Sequence, residues 1–170
     1  MLIIFGGLPG AGKSTLASAL AHHLSALYVR IDTIEQAIRN SGLPVEGPAG
    51  YMVDYDLARE NLRLGTSVVA DSVNPLTITR QAWRGVALQA QVSYVEIEVV
   101  CSDAQQHRAR IESRQSSVPN LKLPRWQQVR ERHYEHWPEP HIVLDTAGHS
   151  PDQSIAQLVD QLAKMREKAP

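Results

Sequence analysis

The chain has 170 residues, 43% of them hydrophobic, and a net charge of -1, which suits one globular domain over residues 1–170. This charge provides no basic field for nucleic acid. Cys101 is the only cysteine, which excludes a disulfide within the chain and a cysteine-based metal cluster. We therefore expect a reducing, cytoplasmic location and, without a signal-peptide pattern or a long apolar run, no membrane partner.

Short apolar runs alternate with amphipathic segments along the chain. The apolar runs predict five buried strands, at residues 2–5, 26–31, 67–70, 92–100 and 141–144. Helical patterns fill the intervals, at residues 12–25, 32–42, 51–64, 76–90 and 126–134, and capping boxes at residues 102–105 and 150–153 begin two more helices. This alternation indicates an α/β fold with a parallel sheet covered on both faces, so polar residues after the strands should meet in one crevice.

The first motif at a strand end is the pattern G-x-x-x-x-G-K-S, between the first predicted strand and the first predicted helix. Its glycines allow successive N–H groups to face a phosphate, and the helix N-terminus adds partial positive charge. In this pattern Lys13 reaches the β- and γ-phosphates, and the Ser14 hydroxyl binds Mg²⁺. We predict that the nucleotide contacts are made by Gly7, Leu8, Pro9, Gly10, Ala11, Gly12, Lys13, Ser14 and Thr15.

Two acids follow the next two predicted strands. Asp32 is placed to orient an incoming hydroxyl or accept its proton, and it also suits a helix N-cap. Asp71 ends a Walker B-like run and is a candidate for holding Mg²⁺ through water or for contacting substrate. Behind it, Asn74 and Arg80 are further substrate candidates, although a simple turn and a surface charge explain them as well.

A third signal follows the fourth predicted strand, where Arg108, Arg110 and Arg114 lie within two helical turns. These like charges repel one another unless an anion neutralises them, and a polyphosphate transition state is such an anion. The irregular segment that follows can form a flap, so we predict a lid around residues 108–125. The alternative is an ordinary basic helix surface balanced by Glu112.

The last predicted strand ends in D-x-x-G, at residues 145–148, a pattern that GTPases use near the γ-phosphate. No N-K-x-D guanine-binding motif is present, so we interpret the segment as the edge of a base pocket or as a strand-to-helix turn. The histidines do not have the H-E-x-x-H spacing of a zinc site.

In order and spacing, the motifs "GLPGAGKST", "RID", "VVADSVN" and "HRARIESR" resemble the small P-loop kinases. Within them the chain is similar to the group of chloramphenicol phosphotransferase, zeta toxins and polynucleotide 5′-kinases. The resemblance covers nearly the whole chain. It implies a P-loop NTPase fold with strand order 2-3-1-4-5, ATP as donor and Mg²⁺ as cofactor. It also places the hydroxyl-activating aspartate at Asp32 and the catalytic lid arginines at Arg108 and Arg114, beside the catalytic Lys13.

One position departs from the polynucleotide kinases, which often carry D-x-x-R where this chain has Glu35 after Asp32. An acid there repels a phosphodiester and suits hydroxyl or amino groups, so nucleic acid is the less expected partner and Glu35 joins the substrate candidates. Tyr51, Asp54, Tyr55 and Asp56 either line the same pocket or pack on the sheet.

The main hypothesis is therefore an ATP-dependent kinase that phosphorylates a hydroxyl of a small polar molecule. One alternative is a polynucleotide 5′-hydroxyl kinase. The other is a regulatory protein that binds nucleotide without transferring phosphate.

Overall fold

A computed structural model describes residues 1–167 and contains a five-stranded, all-parallel sheet in the order β2-β3-β1-β4-β5. The strands are β1 Leu2–Gly6, β2 Leu27–Arg30, β3 Val68–Asp71, β4 Tyr94–Val100 and β5 Ile142–Asp145. Every residue of the central β1 is buried, as expected for a strand whose two sheet faces are both covered by helices. The predicted P-loop NTPase topology is confirmed.

Helices on both faces complete the three layers. They are α1 Lys13–Leu24, α2 Ile31–Asn40, α3 Ala49–Arg63, α4 Thr77–Ala90, α5 Ala104–Ser113, α6 Trp126–Arg130 and α7 Pro151–Glu167. One core cluster joins α1 and α7 to the sheet, and a second joins α3 and α4 to its opposite face. No helix within residues 1–167 is both long enough and apolar enough to cross a bilayer.

Some element boundaries differ from the predicted ones. Strands β3 and β5 are each shifted by one residue toward the C-terminus, so Asp71 and Asp145 are their last residues and do not follow them. Helix α5 is capped by Asp103, whose Oδ1 accepts hydrogen bonds from two backbone N–H groups at 2.9 and 3.0 Å. The predicted cap, Ser102, instead donates its N–H to Asp145 at 3.0 Å, which ties β4 to β5.

Helices α2 and α6 also differ from the prediction. Helix α2 begins at Ile31, which leaves Asp32 in its first turn with its side chain free of a capping role. Helix α6 ends at Arg130, several residues earlier than its pattern predicted. The box that begins α7 is confirmed, because the Ser150 and Gln153 side chains each accept the other's backbone N–H.

Arg80 on α4 joins two segments that are distant in sequence. Its side chain is fully buried, and its two Nη atoms donate to backbone oxygens of Asn74, Glu135 and His136 and to Thr77 Oγ1, at 2.9–3.4 Å. The carbonyl groups in these turns have no helix or sheet to bond to, so Arg80 supplies their donors. It therefore fixes the β3–α4 turn against the segment that follows α6.

The same segment covers the end of β1. The Arg80 guanidinium carbon lies 4.8 Å from the centre of the Trp137 ring, a cation–π arrangement. Trp137 is buried and packs directly on Gly6, where an added Cβ would come within 2.3 Å of the ring. The packing of this segment therefore affects the strand that leads into the glycine-rich loop.

Asp54 is an acidic residue on the buried face of α3. It is fully buried, and neither side-chain oxygen has a hydrogen-bond partner in the described part of the chain. Burial, with the negative charges of Asp71 and Glu35 adding to it, raises the pKa of Asp54 to about 7. The folded protein therefore holds a proton here that the unfolded chain releases near pH 4.

Replacing Arg80 tests its structural role. In Arg80→Met the buried carbonyls lose their charged donor, which we expect to lower the free energy of unfolding by at least about 3 kcal/mol in urea titrations. The exposed Arg63→Met on α3 is the control, with a change below about 0.5 kcal/mol. A stable Arg80→Met protein that had lost only acceptor binding would contradict this role and restore the substrate role predicted from the sequence.

The raised pKa of Asp54 predicts that the stability of the protein depends on pH. Because its pKa is raised in the folded state, its contribution to stability falls as pH rises from about 4 to about 7 and stays low above that. Between about pH 5.5 and about pH 8 the wild type should lose about 2 kcal/mol that Asp54→Asn keeps. Urea unfolding at the two pH values measures the difference, and parallel losses in both proteins would show that Asp54 does not titrate in this range.

Candidate active site

The segment between β1 and α1 forms a loop whose backbone needs glycine. Gly7, Gly10 and Gly12 have φ values of 129°, 84° and 104°. At Gly7 an added Cβ would also lie 2.1 Å from the backbone oxygen of Val99, so no side chain fits there. This curl directs backbone N–H groups toward one point in front of the N-terminus of α1, the arrangement that binds phosphate.

Side chains from α5 and from the turn after β5 hold the outer side of the loop. His107 Nε2 lies 2.8 Å from Pro9 O, and Thr146 Oγ1 lies 2.9 Å from Ala11 O. Both carbonyls point away from the phosphate position and need donors of their own, so His107 Nε2 carries the proton in this contact. Arg110 extends the network by donating to Thr146 Oγ1 at 2.7 Å and to Thr146 O at 2.9 Å.

The D-x-x-G segment therefore has a structural role that links the loop to α5. Asp145 Oδ1 accepts the backbone N–H of Ala147 at 3.0 Å, which closes a strand-to-helix turn. Thr146 and His149 from the same turn line the cavity described below. The strand-to-helix turn predicted from the sequence is thus confirmed, and the predicted role of the segment at the edge of a base pocket stays a prediction.

Asn74 supports β1 from the other side. It is fully buried at φ 47°, and its Nδ2 donates to Phe5 O at 2.8 Å. Gly7 N–H, two residues further, donates to Val73 O at 3.1 Å. The structure thus places Asn74, like Arg80 behind it, outside the lining of the cavity, a different place from the substrate contact that we expected.

Lys13 lies at the centre of the site. It is buried, and burial lowers the pKa of its ammonium group, while the negative charges of Asp71 and Asp32 act in the opposite direction. The positive charges of Arg114 and Arg30 lower it further. Four charged groups therefore lie near Lys13, around the place where a γ-phosphate would lie. Three were predicted from the sequence, namely Asp32, Asp71 and Arg114, and the fourth is Arg30.

Asp71 and Ser14 both contact the hydroxyl group of Tyr28. Tyr28 donates to Asp71 Oδ2 at 2.7 Å, and the pKa of Tyr28 is raised by burial and by this carboxylate, while its contact with Ser14 lowers it. A hydroxyl and a carboxylate are hard oxygen ligands that suit Mg²⁺. The described residues hold no group of three or more His, Cys, Asp or Glu side chains that could bind a metal, so phosphates and water would supply the remaining ligands.

Asp32 opens into the cavity from the first turn of α2. Its side chain is 51% exposed, and Arg30 Nη2 lies 3.2 Å from its Oδ2. Arg30 also approaches Asp71, with Nε 3.6 Å from Oδ2. One guanidinium group thus fixes both strand-end acids. Glu35, one turn later, is ion-paired with Arg39 at 2.9 Å.

The arginines of α5 separate in the structure. Arg114 lines the cavity, and its Nε and Nη2 atoms are buried without a partner in residues 1–167. Burial lowers the pKa of Arg114, against the charge of Asp32. Arg108 instead pairs with Glu112 at 2.8 Å, is 60% exposed and lines a separate shallow depression. The structure therefore does not place Arg108 beside the other predicted catalytic residues.

One large cavity, with a volume of about 1190 Å³, is lined by Lys13, Ser14, Arg30, Asp32 and Arg114. It extends from Thr146, on the β5 side, across Lys13 to Arg39 and Arg132, on the β2 side. The loop between α5 and α6, residues 114–125, forms much of its outer wall and is joined to β2 by a hydrogen bond from Arg30 to Ser117 at 2.9 Å. This volume exceeds that of a typical site for one drug-sized molecule.

Reasoning from the sequence missed Tyr28 and Arg30. Both lie on one face of β2, because residues two apart in a strand point the same way. Register places Arg30 beside Asp71 on β3. The sequence did carry a signal for them: a tyrosine and an arginine two residues apart in an otherwise apolar strand, shortly before Asp32.

Solved structures of other proteins share this fold. A sugar kinase from Janibacter sp. HTCC2649 has 17% identity and a TM-score of 0.69 over 95% of this chain and 94% of that chain. The Mycobacterium tuberculosis APS kinase CysC, solved with AMPPNP and APS, has 18% identity and a TM-score of 0.64 over 95% and 96%. Chaetomium thermophilum Kti12, solved with ADP-AlF3, has 20% identity and a TM-score of 0.70 over 96% and 98%. At these identities the likeness shows the fold.

Sequence comparison identifies the family. A curated relative, the 26S proteasome regulatory subunit 6B homolog of Dictyostelium discoideum, is 41% identical over 59 residues, which cover 35% of this chain and 14% of the relative's length. The family model described as AAA domain matches residues 2–136. Since that match spans most of the chain, the protein belongs to the AAA domain family.

Proposed function

We propose that the protein is an ATP-dependent kinase that transfers the γ-phosphoryl group to a hydroxyl of a small polar molecule. The observation that carries the proposal is the position of Asp32, which opens into the same cavity as Lys13 and the unpartnered donors of Arg114. A site that only binds nucleotide needs no second carboxylate facing the γ-phosphate. The fold is also shared with a sugar kinase and an APS kinase.

The donor half of the site binds ATP through backbone and charge. The N–H groups of the glycine-rich loop and Lys13 would hold the β- and γ-phosphates, and AMPPNP and ADP-AlF3 in two structural neighbours support ATP as the nucleotide. Ser14 and, through water, Asp71 would hold Mg²⁺, which neutralises phosphate charge when bound. Tyr28 and Arg30 keep Asp71 in position.

The acceptor half is built around Asp32. A hydroxyl that hydrogen-bonds to this carboxylate is oriented for in-line attack on the γ-phosphorus. As the new P–O bond forms, the bond from the γ-phosphorus to the bridging oxygen breaks, ADP leaves with that oxygen, and the hydroxyl proton passes to Asp32 or to water. Arg30 holds Asp32 against free rotation. Arg114 presents two partnerless nitrogens and would bind the oxygens of the transferring group, where the charge is spread in the transition state.

The first alternative with a specific observation behind it is a nucleotide-binding protein without an acceptor, since Kti12 shares this fold. Such a protein would release inorganic phosphate or nothing, whichever hydroxyl compound is added. A polynucleotide 5′-kinase remains the second alternative. Incubation with ATP and a panel of sugars, metabolites, antibiotics, nucleosides and oligonucleotides, followed by mass spectrometry of the products, separates the three.

Asp32→Asn tests the acceptor half. Because the amide cannot accept the hydroxyl proton, we expect kcat to fall by about 10²–10⁴-fold while the Kd for ATP stays within about twofold. Lys13→Ala should instead weaken ATP binding and turnover together, and Asp56→Asn, an exposed acid on α3, is the neutral control. Near-normal phosphoryl transfer by Asp32→Asn would remove Asp32 from the mechanism.

A matched pair of arginine variants tests the assignment on α5. Arg114→Gln should lower kcat by about 10²–10³-fold because a donor to the transferring group is lost. Arg108→Gln should stay within about threefold of wild type, since Arg108 faces solvent and Glu112. Equal losses in steady-state kinetics would mean that Arg108 enters the site during turnover, and the geometry would no longer support Arg114 alone.

A further inference from the structure

We propose that the acceptor carries an anionic group (a phosphate, sulfate or carboxylate) and that Arg39 and Arg132 bind it on the β2 side of the cavity. This inference rests on the proposed kinase function and names the chemical class of its acceptor. The acceptor is a small molecule in which a reacting hydroxyl and an anionic group lie at opposite ends.

The charge of the cavity lining exceeds what a nucleotide neutralises. Eight Lys and Arg side chains line it, against two carboxylates. Adding Asp71, which contacts the lining residue Arg30, and the buried Asp54 on α3 raises the acids to four. Mg–ATP adds roughly two negative charges, so cations remain in excess with the donor site full. Like charges facing one cavity repel, and a second anion would relieve that repulsion.

The excess lies on the acceptor side. The sheet order puts β5, with Thr146 and Arg110, on one side of the glycine-rich loop and β2, with Asp32, on the other. In-line transfer needs the acceptor on the side of the γ-phosphate opposite the departing ADP. Since Asp32 marks the acceptor position, ADP extends toward β5. Arg39, Lys122, Arg125 and Arg132 therefore remain for the acceptor and for the loop that covers it.

Arg132 is the clearest of these cations. It follows α6, lines the cavity and makes no ion pair with any side chain among residues 1–165. Burial and the charge of Glu35 raise the pKa of Tyr51 on α3, and the positive charge of Arg132 opposes them, which indicates that Arg132 lies near Tyr51. An uncompensated guanidinium group that faces a cavity has five N–H donors for a planar or tetrahedral anion.

Arg39 lies one turn beyond Glu35 on α2, and its Nη2 donates a hydrogen bond to Glu35 Oε2 at 2.9 Å. The sequence suggested that Glu35 would repel an anion. In the structure its charge is compensated, and its carbon chain packs on Gly50, where an added Cβ would lie 2.5 Å from Glu35 Cγ. Glu35 thus positions Arg39, whose side chain remains 44% exposed and has further donors free for a ligand.

The wall of the cavity favours a small molecule over a polymer. The α5–α6 loop passes over the acceptor side and is hydrogen-bonded to β2 through Ser117 and Arg30. Leu121, Leu123 and Pro124 from this loop also line the cavity. A continuous phosphodiester backbone would need an exit past this loop, whereas a compact anion fits under it.

Calorimetric titration of the protein saturated with Mg²⁺ and AMPPNP tests the inference, because the donor site is then filled. The probes are sulfate and two matched pairs, gluconate with glucitol and glycerol 3-phosphate with glycerol. We expect sulfate or an anionic member to bind at least about tenfold more tightly than the neutral members. Arg39→Gln and Arg132→Gln should each weaken that binding about tenfold, and Arg130→Gln on α6 should leave it unchanged.

Three results would overturn the inference. Neutral members binding as tightly as the anions, or no anion binding above the neutral members, would show that the site has no anion preference. Anion binding that persists in both variants would place it elsewhere. A short single-stranded oligonucleotide that binds more tightly than every small anion would assign the basic side to a polymer.

The outcomes also separate this inference from the proposed function. If the protein phosphorylates a neutral polyol and neither Arg39→Gln nor Arg132→Gln changes its KM, the kinase function stands and the inference fails. If Arg132-dependent anion binding is found but no hydroxyl in the panel is phosphorylated, the anion site stands and the kinase function fails.

Discussion

The phosphate-binding loop imposes the constraint on which the rest of the site depends. Turning its N–H groups inward forces its carbonyl groups outward, into a region without regular hydrogen-bond partners. His107 and Thr146 bond to the carbonyls of Pro9 and Ala11, and each side chain comes from a different strand connection. The loop is therefore a shared product of β1, β4 and β5, and α5 cannot shift without disturbing it.

A second network organises the acids. Arg30 contacts Asp32 and Asp71, and Tyr28 contacts Asp71 from the same face of β2. Burial lowers the pKa of Lys13, and the negative charges of both acids oppose that shift. The two acids that we propose for the donor and acceptor halves are thus coupled through β2, so their positions are set together.

The sequence predicted the parallel sheet because apolar strands and amphipathic helices have distinct periodicities. The strand order was implied by the resemblance to the small P-loop kinases. The glycine-rich loop was equally readable, since each glycine answers a steric requirement. The side-chain roles were harder to predict. Asn74 and Arg80 are polar residues near strand ends, as ligand-binding residues are, yet both bond to backbone carbonyls. Sequence alone does not distinguish a donor aimed at a ligand from one aimed at the chain.

Arginine spacing was a similarly ambiguous signal. Arg108, Arg110 and Arg114 lie close in sequence, but one faces Glu112, one bonds to Thr146 and one is directed into the cavity. The direction of each depends on the helical phase of α5 against the loop, which is a tertiary property. Arg132 and Arg39 lie outside the recognised motifs, and only the tertiary structure places them on the cavity wall.

Phosphorus NMR of ATP with the protein and a mixture of hydroxylated metabolites, both anionic and neutral, follows the fate of the γ-phosphorus most directly. The account predicts a phosphomonoester resonance that grows in step with ADP and disappears with Asp32→Asn. ATP turnover that yields only inorganic phosphate, whichever acceptor is present, would contradict it.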